Sequence, residues 1–176
     1  MLVSCSGVTL SMIMRLSKAL MVCAIALFAT LVVFGNMTDY NTNFVFVHHV
    51  LQMDTIFPDA TISYRAIHSP WLQQLGYIGI ILLETLTAVF CWVGGIGLLI
   101  NRKAPAKVFN RKKGIAIIGL TLGFLTWQVV FMSIGGEWFG MWMSKQWNGV
   151  PNAFRFFVTT ILVLIYLVQP DGELDE

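Results

Sequence analysis

Four blocks of nearly uninterrupted apolar residues constrain this chain more than any other feature: Leu16 to about Phe34, Leu75 to Ile100, Gly114 to Ile134 and Ala153 to Val168. At about 1.5 Å per helical residue, blocks of this length match a hydrocarbon layer about 30 Å thick. Inside such a layer only a helix or a closed barrel satisfies its own backbone, and continuous apolar runs select the helix. Composition agrees, since only 11% of the residues are charged, against about a quarter in soluble domains. The expected fold is therefore all-α. It is a four-helix transmembrane bundle forming a single membrane domain over residues 1–176, with structured extracytoplasmic loops at 35–74 and 135–152 and a basic loop at 101–113. The last block is the shortest, but Pro151 and Pro170 bracket it and Asn152 is placed to cap its first turn.

Lysine and arginine set the orientation. Arg15, Lys18, Arg102, Lys103, Lys107, Arg111, Lys112 and Lys113, eight of the eleven, fall on one side, and only Arg65, Lys145 and Arg155 on the other. The positive-inside rule then predicts cytoplasmic N and C termini and a cytoplasmic basic loop, which reads as an orientation signal touching anionic lipid. The acidic tail Asp171, Glu173, Asp175 and Glu176 reads as a solvated end. A formal charge of +2, with the basic residues placed by this rule, gives no reason to expect a nucleic-acid partner.

The first block is long for a cleaved signal peptide and no small-x-small site follows it, so it is expected to remain as a helix. Leu2-Val3-Ser4-Cys5 looks like a lipoprotein box, but four residues before the cysteine leave no room for a signal, and lipidation is not expected. Residues 1–13 read as an upstream extension, since Met14-Arg15-Leu16-Ser17-Lys18 makes a better start. Cys23 and Cys91 lie within apolar blocks as small hydrophobes, and with Cys5 they form no disulfide framework.

Glu84 is the most informative residue, because an ionisable group within a span is expensive and marks a function by default. Glu84, Ala88, Cys91 and Gly95 recur at helical spacing on one small-residue face, so Glu84 should point into the bundle, roughly 6 Å outside the membrane centre. Gln128, Thr30, Thr159 and Thr160 fall at similar depth, and Arg155 can reach down towards Glu84. The expected intramembrane polar layer is thus Glu84, Gln128, Arg155 and Thr159. It serves either as a structural lock between the second and fourth helices or as a site for a ligand, a quinone or a proton. Gly119-x-x-x-Gly123 in the third helix reads as a close-packing face.

The outer segments hold the other unusual residues. The loop from Gly35 to Gln74 is 40 residues long, a length usually functional or structured. Trp71, Trp138, Trp142 and Trp147 place these segments at the lipid headgroups, where indole offers an apolar body and a donor. Candidate binding residues are His48, His49, Asp54, His68, Glu137, Trp138, Trp142, Trp147 and Asn148. The histidines match no metal-ligand spacing and none lies in a span as a haem ligand, so neither a metal nor another cofactor is expected. No nucleophile elbow, phosphate loop or dinucleotide fingerprint occurs, and no catalytic residue is assigned. Asn36-Met37-Thr38 meets the glycosylation pattern but sits at the membrane surface.

Three stretches, Phe46 to Pro58, Gly135 to Gly149 and Ala153 to Phe157, together with the helix spacing and Glu84, resemble the DUF2165 family of bacterial predicted small integral membrane proteins. The resemblance runs from about Met14 onward. It implies a bacterial inner-membrane location and the four-helix plan, and it carries no activity. The leading expectation is a non-enzymatic accessory or scaffold subunit that binds a partner membrane or periplasmic protein, or lipid, at its periplasmic face. The alternatives are a small redox or quinone-handling protein using Glu84, and a transport component acting as an oligomer. The sequence leaves the oligomeric state open.

Overall fold

A computed structural model describes residues 10–174 of the chain, so Cys5 and its surroundings, and the acidic residues Asp175 and Glu176, lie outside the described residues. Among the described residues the fold is all-α and contains no strand. Helix α1 spans Leu10–Thr38, the short α2 spans Tyr40–Gln52, and α3 spans Pro70–Ile100. Helix α4 spans Ala106–Leu125 and continues without a break as π-helical turns over Thr126–Trp138, and α5 spans Val150–Val168. Four of these rods are long and apolar enough to cross a membrane.

The helices overrun the apolar blocks, because hydropathy marks only the part immersed in hydrocarbon while backbone hydrogen bonding continues past it. By helical rise, α5 is roughly 28 Å long and α3 roughly 46 Å. The 35–74 segment is correspondingly shorter than it looks. It consists of the end of α1, then α2, then a turn in which Met53 takes the left-handed conformation (φ 54°), before Pro70 starts α3 at a position where its missing N–H is harmless. The N-cap position of α5 is Gly149; the first helical N–H, at Val150, is met by Asn148 Oδ1 at 3.1 Å, and the expected cap Asn152 lies inside the helix.

Helix α3 lies along both α1 and α4, α5 packs on α4 and its π-helical continuation, and α1 closes the ring against α5. The surface is inverted relative to a soluble protein. Leu20, Leu27, Leu31, Leu82, Val93, Ile118 and Leu162 are exposed, while the interior is built from small residues such as Ala19, Ala26, Cys91 and Ala116. Lipid tails offer no hydrophobic drive between helices, so close backbone approach has to hold the bundle. A Cβ on Gly94 would lie 2.5 Å from the Ala116 backbone, and one on Gly119 would lie 2.7 Å from Cys91 N. The expected faces, Glu84 to Gly95 on α3 and Gly119 to Gly123 on α4, are these contact surfaces.

The end of the bundle carrying both termini differs from expectation. Asp171 is not a solvated residue: it is buried and pairs with Lys18 at 2.8 Å and Lys113 at 2.5 Å. Arg15 donates to the carbonyls of Arg102, Ala104 and Gly172, and Lys18 and Lys113 both donate to that of Gln169. Glu173 accepts from Ala106 N at the start of α4, where the helix dipole favours an anion. Burial alone would raise the Asp171 carboxyl, but the ammonium groups of Lys113 and Lys18 outweigh it and hold the pKa below the usual carboxylate range. Three of the basic residues that read as orientation signals thus strap the C-terminal segment across α1 and α4.

Candidate functional site

At the opposite end, Glu84 projects from α3 into the space between α1, α3, the π-helical segment and α5, and is only 4% exposed. Its Oε2 accepts from Asn36 Nδ2 of α1 at 2.7 Å. The Tyr77 hydroxyl, two turns before Glu84 on the same face of α3, donates to the Asn36 carbonyl at 3.1 Å and so fixes that partner in turn. Helix α2 lies over this group. Its Tyr40 stacks edge-on to Tyr77 at 4.8 Å and donates to Gln74, and His48 Nδ1 meets Gln73 Oε1 at 2.8 Å.

Above Glu84 a cleft of about 410 Å³ opens towards the loops. Its polar lining comes from Asn36, Asn43, Gln146, Asn148 and Asn152, and its rings from Phe46, Tyr77, Trp127, Phe131, Trp147 and Phe156. Below Glu84 only a recess of about 10 Å³ remains, walled in part by Thr87, Thr126 and Thr160. Those hydroxyls each donate to a carbonyl of their own helix. Beside the cleft lies an apolar pocket of about 150 Å³, and both share Phe46, Val47, Ile80 and Phe131 as walls. The π-helical turns bring Trp127 and Phe131 to the site. Such turns are rare and cluster at functional positions, and here the spacing is visible in Phe139 N bonding the Ile134 carbonyl at 3.0 Å.

The expected layer around Glu84 is largely replaced. Arg155 is exposed and forms no ion pair among the described residues, so the Glu84–Arg155 lock is not made. Thr159 is exposed too and donates to the Arg155 carbonyl, one turn earlier on the outward face of α5. Ala153 and Thr160 occupy the inward face instead. Gln128 is half-buried but does not line the cleft, and its carbonyl accepts from Ser133. Thr30 accepts from Trp92 Nε1 at 3.0 Å, tying α1 to α3. Asn36, the residue that does meet Glu84, was missed because it lies just past the apolar block. The two lie 48 residues apart on different helices, and the offset between those helices is not readable from either one alone. The one available signal was a carboxamide at the same end of a neighbouring span.

The outer-loop candidates separate into two groups. His49 pairs with Asp54 at 2.7 Å and stacks on Trp147 at 4.7 Å, and Trp147 and Asn148 line the cleft. His68 and Glu137 are exposed and lie away from it. Trp138 receives the Arg65 guanidinium over its ring at 4.6 Å, and Trp142 packs edge-on to Phe57 at 5.8 Å, so both brace the loops. Among the described residues no three His, Cys, Asp or Glu side chains gather as a metal set.

Four apolar rods, an apolar exterior, small-residue helix contacts and a cleft at one end define a multi-pass integral membrane protein. The chain belongs to the family described as predicted small integral membrane protein (DUF2165), which it matches over residues 14–170. No curated protein and no solved structure matches it.

Proposed function

We propose that this protein is a non-enzymatic accessory or scaffold subunit of the bacterial inner membrane that holds a membrane lipid in the Glu84 cleft. The distribution of Lys and Arg favours cytoplasmic termini, which turns the cleft towards the periplasmic face. The observation that carries the reading is the cleft itself. It sets carboxamides and a carboxylate among aromatic rings, the mixed lining expected where a small ligand is oriented by a few polar groups. A transport pathway through one protomer is disfavoured by the closed recess beneath Glu84 and the fully buried Ala26, Cys91 and Leu120. Quinone handling would use the same cleft and is separated from lipid binding by experiment.

Native mass spectrometry of the protein gently extracted from its own membrane, compared with Glu84→Gln, tests this. Lipid retained by the wild type and lost from the variant is the expected result, and a second polypeptide retained by both would identify the complex it serves. Bare protein in both samples would refute lipid binding. A retained quinone would put the redox reading first.

A further inference from the structure

We propose that the cleft selects an amphiphile whose head carries a protonated primary amine, with the ammonium against Glu84 and the apolar tail in the adjoining pocket. This rests on the lipid-binding reading above and names the chemistry of the head. Charge is the first argument. The lining of the cleft contains one carboxylate, Glu84, and no Lys, Arg or His. Arg155, the cation placed nearest by sequence, faces outward. A carboxylate at membrane depth calls for a cationic or hydrogen-bonding partner, and a single carboxamide supplies only part of that.

The hydrogen bonds around Glu84 call for a donor at that point of the cleft. Asn43 directs its amide nitrogen at the Gly35 and Asp39 carbonyls, at 3.2 and 3.0 Å, and Asn36 directs its own at Glu84. Asn148 Nδ2 points to the Trp142 carbonyl at 3.4 Å. Next to Glu84 the open atoms are acceptors, since Glu84 Oε1 and Asn43 Oδ1 have no donor among the described residues, while the carboxamides of Gln146 and Asn152 leave both donors and acceptors open elsewhere in the cleft. An ammonium group has three N–H donors to meet them and no acceptor of its own. A quaternary ammonium has no N–H, and an anionic head would meet Glu84 with like charge. The rings of Trp127, Phe131 and Phe156 in the same lining suit a cation of either kind, so the selection rests on the N–H donors of the primary amine.

The tail follows from the second pocket. Its lining is wholly apolar, with Val50, Leu51, Ile134 and Met141 beyond the four shared walls. A head seated in the cleft therefore has an apolar slot beside it, which a free amine would leave empty.

The test titrates the full-length protein in detergent with phosphatidylethanolamine, phosphatidylcholine and phosphatidylglycerol of identical acyl chains, read by native mass spectrometry as the affinity of the first lipid retained. Charge-assisted hydrogen bonding predicts on the order of tenfold tighter binding of the ethanolamine head than of either other head. Glu84→Gln should abolish that preference and Asn43→Leu should reduce it. Equal binding of all three heads, or tighter binding of the choline or glycerol head, would overturn the amine inference while leaving lipid binding intact. Retention of none of them would refute lipid binding itself. Displacement by free ethanolamine at the lipid's own concentration would refute the role given to the tail. The headgroup comparison needs only the wild type, so a variant that fails to fold does not remove the test.

Discussion

Replacing Asp171 with Asn keeps the shape of the side chain and removes the one carboxylate that Lys18 and Lys113 share. Both lysines would stay buried, because the Gln169 carbonyl still holds each at 2.7 Å, and Asn110 still accepts from Lys113 at 2.8 Å. With Arg15 also buried, three cations would then face only carbonyls and carboxamides. Removing one partner of a buried, hydrogen-bonded ion pair typically costs about 3–5 kcal/mol, and in a chain of this size each kcal/mol corresponds to about 2–4 °C in Tm. The expected drop is therefore about 6–20 °C in a detergent or nanodisc thermal melt. Lys113→Met should be less harmful in the Asp171→Asn background than alone, since the pair has already been broken. Acid gives an independent check of sign. The folded pKa of Asp171 is depressed, so its contribution is complete above the unfolded value near 3.9 and is lost as pH falls through the lower folded value. Wild type should lose that increment below about pH 4, and Asp171→Asn should not. A Tm change under about 2 °C, or an acid response that the variant shares in full, would show that the strap contributes little.

The helix contacts make a sharper steric prediction. Gly119→Val would drive a side chain into the Cys91 backbone and should cost about 1–3 kcal/mol by overpacking, seen as a lower melting temperature with helicity retained in the far-UV. Because Glu84 and Arg155 do not meet, Glu84→Gln and Arg155→Gln should have additive effects on stability, to within about 0.5 kcal/mol, and a larger coupling would mean that they pair after all. For orientation, a cysteine at Lys107 should be shielded from an impermeant label in intact cells and one at Lys145 should react. The reverse pattern would invert the assignment of the two faces.

The spans, their number and the inward face of α3 were legible because each depends on the hydropathy or period of one segment alone. Glu84, Ala88, Cys91 and Gly95 share a face by helical geometry, and all four are buried. The resemblance to a membrane family was legible from the same segments. The polar layer was not, because it depends on how neighbouring helices are rotated and offset. On α5 the inward residues are Ala153 and Thr160, and Arg155 and Thr159 point away. At about 100° per residue, one step along the helix separates Thr159 from Thr160, and composition at a given depth carries no such phase.

The sequence by itself determined that the chain lives in a bilayer as four apolar helices, since the hydrocarbon core admits little else. Tertiary structure alone decided which polar groups meet. It brought Asn36 to Glu84 across 48 residues and Asp171 to Lys18 across 153. The physical reason is that a buried charge has to find its counterpart in three dimensions, and the register that brings them together is set by small-residue contacts such as Gly94 on Ala116 and Gly119 on Cys91.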